Sequence, residues 1–481
     1  MLDDTKSKVF SGLFWRYAER SGAQVIQFIV SVVLARMLTP DDYGLIGLIT
    51  VFIAVANVFA QSGLGQALVQ KKYADDIDFS TVFYYNIIFS LILYAALFFS
   101  APLIADFYDQ PQLISVIRVL GITVVINGIN GVQQAYVQKT MQFKRFFYST
   151  IIGTVSSAVV GLIMAYKGFG VWALVGQNVS NQVVNVTILW FTIEWKPILK
   201  FSFGRMTKLF SFGWKLLCSS LIDTIYNNIY SLVIGKFYSS SDLGYYNKGK
   251  SFPLLIINNI NSAINSVLFP VMSEAQDDGE RLKMMTRRSI TISTYIIFPA
   301  MAGLAEIAEP MIVLLLTEKW LPAVPFVQFC CFTYAFWPVH TANLQAITAL
   351  GRSDIFLKLE IIKKIIGIIS LIISAPFGLY VMMVVRCINT IIMSVINAAP
   401  NKKLLGYSYI EQVKDMLPAI GVSLLMLIVV LAESLLPVSL FVLLCIQIIS
   451  GVMVYFGISV VFKIESFKYI SNILVSFKKN H

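Results

Sequence analysis

Residues 15–44 read WRYAERSGAQVIQFIVSVVLARMLTPDDYG, an apolar run interrupted by polar residues at helical steps. Arg16, Glu19, Arg20, Gln24, Gln27 and Ser31 recur every three or four positions, so a helix of 3.6 residues per turn gathers them on one face. A charge at the centre of a bilayer costs roughly 2.5–3.5 kcal/mol even on the mildest scale, so a membrane helix keeps such a stripe only where it lines something polar. Further apolar runs along the chain predict fourteen spanning helices, centred near residues 26, 54, 93, 125, 157, 182, 226, 259, 299, 337, 366, 388, 427 and 450. The apolar patch at 310–316 is predicted to be an interfacial re-entry between the ninth and tenth spans.

The opening stretch returns 200 residues later. Ile29, Ser31, Val33, Asp42 and Gly44 meet Ile229, Ser231, Val233, Asp242 and Gly244 at that constant offset, and Gln27 meets Asn227. Trp15 pairs with Trp214 after a one-residue gap, and Asp223 sits one turn before Asn227 on the same face. This is an internal repeat of two halves, each opened by a polar-striped helix. The predicted organisation is an N-lobe at 1–194 (spans one to six), a linker at 195–212 and a C-lobe at 213–400 (spans seven to twelve). Spans thirteen and fourteen with their preceding loop follow at 401–462, and a basic tail at 463–481.

Composition fixes the class. With 481 residues, 57% hydrophobic and 13% charged, the chain is predicted to be an all-α polytopic membrane protein without a sizeable soluble domain. The polar start MLDDTKSKVF lacks a cleavage site, so the first span is expected to act as its own insertion signal. The five cysteines lie in apolar runs without CxxC pairing and are expected to be free, buried thiols. The +11 net charge is a matter of topology, since 29 of the 37 Lys and Arg fall on the side of the termini and 7 on the other, with Arg386 inside a span. Both termini are therefore predicted to be cytoplasmic, and nucleic acid is not expected as a partner.

Along the chain, Pro40 and the Asp pair of LTPDDYG are expected to cap the second helix. Asn57 and Gln61 give span two a polar face, span three is nearly featureless and predicted to face lipid, and span four carries Arg118, Asn127, Asn130 and Gln134. Gly153, Gly161, Gly168 and Gly170 are expected to let spans five and six approach closely. In the linker, Lys196, Lys200, Arg205 and Lys208 alternate with apolar residues, which suits an amphipathic segment on anionic headgroups and a plain basic loop equally. Span seven sets Ser220, Asp223, Asn227 and Ser231 on one face. Span eight holds Lys248 and Lys250, then Asn258, Ser262 and Asn265. His340 is expected to be a packing or hydrogen-bonding residue. Span eleven opens with Glu360, Lys363 and Lys364, and span twelve contains Arg386 and Asn389. The last two spans are almost wholly apolar and should contact lipid, and the tail reads as a basic strip on the inner surface.

There is no HExxH, GxSxG or phosphate-binding glycine loop and no acid pair at catalytic spacing, so no enzyme activity is expected. Polar stripes in both halves instead describe a hydrated cavity. Its cations, Arg16, Arg20, Arg118, Lys248, Lys250, Lys363 and Arg386, outnumber the acids Glu19, Asp223 and Glu360. A cavity for cationic drugs should be acid-lined, whereas phosphates or acidic sugars need Arg and Lys donors. Snorkelling from a helix end is the simpler reading of Arg118, Lys248 and Lys363. Asp223 and Arg386 lie deepest.

The runs LARMLTPDDYGLIGL, QSGLGQALVQ, SSSDLGYYNKGKSFP and AEPMIVLLLTEKWLPAV resemble the Wzx-type polysaccharide and O-antigen flippases, the colanic-acid-transporter-like branch of the MATE/MurJ-like exporter superfamily. The resemblance spans essentially the whole chain. It implies two six-helix lobes related by pseudo-twofold symmetry and two further C-terminal helices. It also implies alternating access that turns an undecaprenyl-pyrophosphate-linked oligosaccharide from the inner to the outer leaflet of the bacterial cytoplasmic membrane. One departure is Gln61, where the family often has Asp, so no cation role is assigned there. On this reading Arg16, Arg20, Lys248 and Arg386 bind pyrophosphate or acidic sugars, and Gln24, Gln27, Asn57, Asn227 and Asn258 bind hydroxyls. Asp223, with Glu19 and Glu360, serves as a proton or sodium site or pairs with an arginine. Membrane lipid, the lipid-linked oligosaccharide and the polymerase and export machinery are the expected partners, with no cofactor and no metal. A lipid II flippase, a cation-coupled drug antiporter and a scaffold without transport are the rival readings.

Overall fold

The computed structural model describes the backbone of residues 2–61 and 63–479, and the side chains of 14–61, 63–261, 264, 268 and 271–472. The predicted positions Ser262 and Asn265 lie outside the described side chains. The chain packs as two units, Met1–Gly244 and Tyr245–His481.

The first unit contains α1 (Leu2–Met37), α2 (Pro40–Gln61), α3 (Leu64–Gln70), α4 (Asp76–Phe107), α5 (Gln112–Lys139), α6 (Phe143–Tyr166), α7 (Val171–Thr192) and α8 (Phe203–Phe237). The unit boundary falls in the first turns of α9 (Ser240–Glu274). The second unit continues with α10 (Gly279–Glu306), α11 (Ala308–Leu316), α12 (Val324–Ala335), α13 (Trp337–Ala349), α14 (Ser353–Ser374), α15 (Leu379–Leu404), α16 (Tyr409–Glu433), α17 (Leu440–Val461) and α18 (Glu465–Lys479). A 3₁₀ turn at Glu318–Ala323 joins α11 to α12.

The fourteen predicted spans fall on α1, α2, α4 to α10, the α12–α13 tandem and α14 to α17. Only eight of the described helices, α2, α4, α5, α6, α10, α15, α16 and α17, are long and apolar enough to cross a membrane on their own. The others have identifiable reasons. Helices α1, α7, α8, α9 and α14 carry the amide and charge stripes, and the tenth span breaks at Phe336, where Pro338 opens a new helix. The patch at 310–316 is helical. It forms α11, whose Ala308, Ile312 and Leu316 are fully buried.

In the first unit α4 pairs with α5, α6 with α7, and α1 lies along α6. Gly153 and Gly161 work as expected: a Cβ at Gly161 would meet Gln177 Cβ at 3.1 Å and one at Gly153 the Asn181 carbonyl at 3.3 Å. Gly168 and Gly170 do not. They take positive φ values of 77° and 55° in the α6–α7 turn, which side chains with a Cβ resist. Span three meets its expectation, with Ile88, Leu91, Ile92, Phe99 and Leu103 of α4 exposed.

The linker is a strap over its first half. Residues 193–202 are not helical; Trp195 is buried against Phe79 and Phe83, and the Ile198 and Ser202 amides donate to Ser80 Oγ and Thr81 Oγ1 at 2.9 and 3.2 Å. Leu199 and Phe201 point outward beside Lys200, an arrangement suited to an interfacial bilayer contact. In the second unit, α18 docks on α10 through Ser466 on the Thr291 carbonyl and Arg288 over the Tyr469 ring. No cysteine is paired, but Cys218 is exposed and Cys387 and Cys445 are half-buried, so burial holds only for Cys330 and Cys331.

The repeat is visible as two identical turns. Thr39 Oγ1 donates to Asp42 Oδ2 at 2.7 Å and accepts from the Asp42 amide; Ser239 and Asp242 do the same at 2.7 and 3.1 Å. The N-caps are thus Thr39 and Ser239, with each Asp as the reciprocal partner of a capping box. The turns pack on each other around a local twofold: a Cβ at Gly44 would fall 1.7 Å from the Ser240 carbonyl oxygen, and one at Gly244 2.0 Å from that of Pro40.

Candidate functional site

The stripe on α1 packs in part against α6 of the first unit. Glu19 is buried, accepts from Arg16 at 2.8 Å and takes the Thr150 hydroxyl of α6 at 3.0 Å. Arg16 also lies over the Phe146 ring, 5.3 Å from its centroid. Most of the charge of this pair is therefore neutralised locally. Arg20 and Gln27 are exposed and Gln24 is half-buried. Asn57 accepts from Asn127 Nδ2 at 3.1 Å, tying α2 to α5. Asp223 and Asn227 are exposed on α8.

The second unit gathers cations among aromatic rings. Arg386 of α15 donates to the Tyr246 hydroxyl at 2.8 Å and stands 5.8 Å from the Tyr334 centroid. Lys250 approaches the other side of this group, 5.9 Å from the Tyr246 ring, and the buried Lys248 lies 5.9 Å from Trp320. Cation–ring contacts of this kind bring three basic side chains of α9 and α15 together in the second unit. Glu360 is engaged by Lys363 at 2.5 Å, and Asn258 is exposed. Arg118 donates to the Phe98 carbonyl and covers the Phe98 ring at 4.3 Å, which suits its reading as a snorkelling residue. His340 pairs with Asn397 at 3.0 Å and so acts as a hydrogen-bonding residue.

Some polar groups escaped the sequence reading. A cavity of about 280 Å³ in the first unit is lined by Gln61, Gln66, Asn86, Gln134, Gln138 and Ser220, with glycine and leucine between them. Gln134 was visible in the helical pattern of α5, and Gly131, Gln134 and Gln138 share its face at steps of three and four. Asn86 was hidden in a span that otherwise reads as lipid-facing. In the second unit Asn343 and Gln412 exchange side-chain hydrogen bonds at 2.8 and 2.9 Å, and Asn401 donates to Asn343 at 2.7 Å, locking α13, α15 and α16. Their separation in sequence gives no periodic signal.

Gln133 is fully buried in α5 with both amide heavy atoms lacking a partner among the described residues. An orphaned buried polar group costs about 1–3 kcal/mol. Gln133→Met is therefore expected to raise thermal stability by that order in a melting assay; a lower melting temperature would show that the amide is satisfied.

Fold and polar stripes together define a polytopic helical membrane protein with charged and amide-bearing helices. Residues 33–325 match the family described as polysaccharide biosynthesis protein, and the chain belongs to that family. It is 25% identical over 350 residues, 72% of each chain, to the teichuronic acid biosynthesis protein TuaB of Bacillus subtilis. It is 24% identical to the lipopolysaccharide biosynthesis protein WzxC of Escherichia coli, covering 84% of this chain and 83% of that one. The fold is shared with the lipid II flippase MurJ in an inward closed conformation, with a TM-score of 0.76 and 14% identity over 94% of this chain and 98% of that one.

Proposed function

We propose that the chain is a flippase, not an enzyme, that moves undecaprenyl-pyrophosphate-linked oligosaccharide from the inner to the outer leaflet of the bacterial cytoplasmic membrane by alternating access. The observation that carries this reading is family membership over residues 33–325 on a helical membrane fold whose Arg386, Lys248 and Lys250 sit among rings. A pyrophosphate entering a site of low polarity needs such donors, and charge-assisted hydrogen bonds to it are among the strong ones. The two repeat lobes supply matching polar helices, α1 and α8, whose Gln24, Gln27, Asp223 and Asn227 offer donors and acceptors to sugar hydroxyls or a coupling cation. The prenyl tail stays in lipid against the exposed faces of α16 and α17, because moving it through water costs about 0.8 kcal/mol per CH₂. The excess of Lys and Arg on one side supports cytoplasmic termini on the side where the precursor is assembled; polymerase and export machinery would receive the flux on the opposite side.

The test is flipping of a fluorescent undecaprenyl-pyrophosphate oligosaccharide in proteoliposomes, with and without a proton or sodium gradient. Arg386→Ala should slow transport roughly 10- to 150-fold, the equivalent of one charge-assisted hydrogen bond, without unfolding the protein. Asp223→Asn should abolish the response to the gradient. Movement of lipid II alone would assign the substrate to the rival class, and near-normal flipping in both variants would remove the anion site and the coupling site.

A further inference from the structure

We propose that the amide-lined cavity of the first unit is a subsite for one uncharged, hydroxyl-rich sugar residue, distinct from the cationic groups assigned to the pyrophosphate. The inference rests on the flippase reading for its biological context. The binding claim itself rests on the chemistry of the walls.

None of the described lining residues carries a charge. An anionic group placed there would lose hydration with no counter-charge to replace it. A hydroxyl-rich ring would not. Each carboxamide offers one acceptor oxygen and two N–H donors in a plane, which can accept from one hydroxyl and donate to its neighbour. Gln61, Gln66, Gln134 and Gln138 bring four such groups to one space, reaching in from α2, α3 and α5. Leu216 and Leu217 of α8 add an apolar patch for the C–H face of a pyranose. The volume of about 280 Å³ lies at the lower edge of small-molecule sites, which run from roughly 300 Å³ upward, so it suits a single ring.

Asn86 provides the second, independent sign of a ligand. It is 2% exposed, lines the cavity, and its Oδ1 has no hydrogen-bond partner among the described residues. A buried acceptor without a donor is costly. A sugar hydroxyl supplies the missing donor. The wall beside it is bare backbone: a Cβ at Gly131 would lie 3.5 Å from Asn86 Nδ2, so any larger side chain would occupy the space in front of the amide.

The experiment uses the full-length protein in nanodiscs, because glycoside detergents would compete. Methyl glycosides of glucose, galactose and N-acetylglucosamine are tested by ligand-observed saturation-transfer NMR, with glucuronate and inorganic pyrophosphate as competitors. At least one neutral glycoside should bind, neither anion should displace it, and the Gln134→Leu/Gln138→Leu protein should bind it roughly tenfold more weakly or worse. Both glutamines are exposed, so this variant should melt like the wild type. Asn86→Leu is the second variant, expected to lose binding while gaining thermal stability as the orphaned oxygen disappears. The proposal is overturned if no neutral glycoside binds, if either anion displaces it, or if binding survives in both variants. Sugar binding without flipping of any prenyl-linked glycan would remove the transport reading and leave the subsite. Flipping with no sugar in the cavity would do the reverse.

Discussion

Gly44→Ala should destabilise the protein by about 3 kcal/mol, at the top of the range for overpacking, and Gly244→Ala by a similar amount. The cause is backbone contact. A methyl at position 44 would sit 1.7 Å from the Ser240 carbonyl oxygen and 2.5 Å from its carbon, and one at 244 would sit 2.0 Å from the Pro40 oxygen. No rotamer relieves such a clash, so one turn must slide off the other. Because the two glycines face one shared contact, with the Cβ of 244 placed 3.2 Å from the Gly44 amide nitrogen, the double variant should cost less than the sum. Thermal unfolding in lipid nanodiscs measures both. A melting temperature unchanged in either single variant would show that the paired turns do not pack this way.

Those turns show what periodicity can and cannot reveal. Asp42 and Gly44 recur as Asp242 and Gly244, so the repeat and its turn were legible from residue identities at a fixed offset. That the two copies touch each other was not, because a contact across 200 residues leaves no local pattern. The helices themselves were legible, since apolar runs of membrane length are a strong signal. The exceptions are physical. The tenth span breaks at Phe336 because Trp337-Pro338 starts a new helix, and the apolar patch at 310–316 is too short to span yet buries Ile312 and Leu316.

Site residues were legible only in part. Helical steps correctly put Arg16 and Glu19 on one face, but the step does not say that Glu19 reaches Thr150 of α6, which changes a cavity charge into a packed ion pair. Arg386 stood out as an arginine in an apolar run. Its partner Tyr246, 140 residues away, could not be named from spacing. The amide cavity was half visible through Gln61 and Gln134, whereas Asn86 was one polar residue in an apolar helix, a pattern that gives no face.

The second large effect is expected at Asp78, in the first turn of α4. Its carboxylate is fully buried, accepts from Lys71 at 2.5 Å and from Arg205 at 3.3 Å, and closes a capping box with Asp75. It therefore joins the end of α3, the start of α4 and the start of α8. Asp78→Ala removes the shared partner of two cations as well as the cap, and breaking a buried pair in this way costs about 3–5 kcal/mol. Lys71 and Arg205 keep side-chain exposures of 38% and 36%, so both can turn to water and the loss should lie near 3 kcal/mol, at the lower end of that range. Asp78→Asn keeps the shape and a cap acceptor and should cost less. Arg205→Ala, which leaves Asp78 its Lys71 partner and its cap, should cost less than Asp78→Ala. The pH dependence follows from Asp75, whose carboxyl is held down to about 2 by the hydrogen bond from Arg205. A depressed pKa stabilises the fold above the ordinary value of 3.8 and the contribution fades only as pH falls toward 2, so the contribution of Asp75 should be flat between about pH 5 and 8. Melting curves of the three variants across that range check the order and the flatness together. Wild-type stability in Asp78→Ala would mean that the three helix ends are held by the buried Trp195, Phe79 and Phe83 cluster and not by the charges.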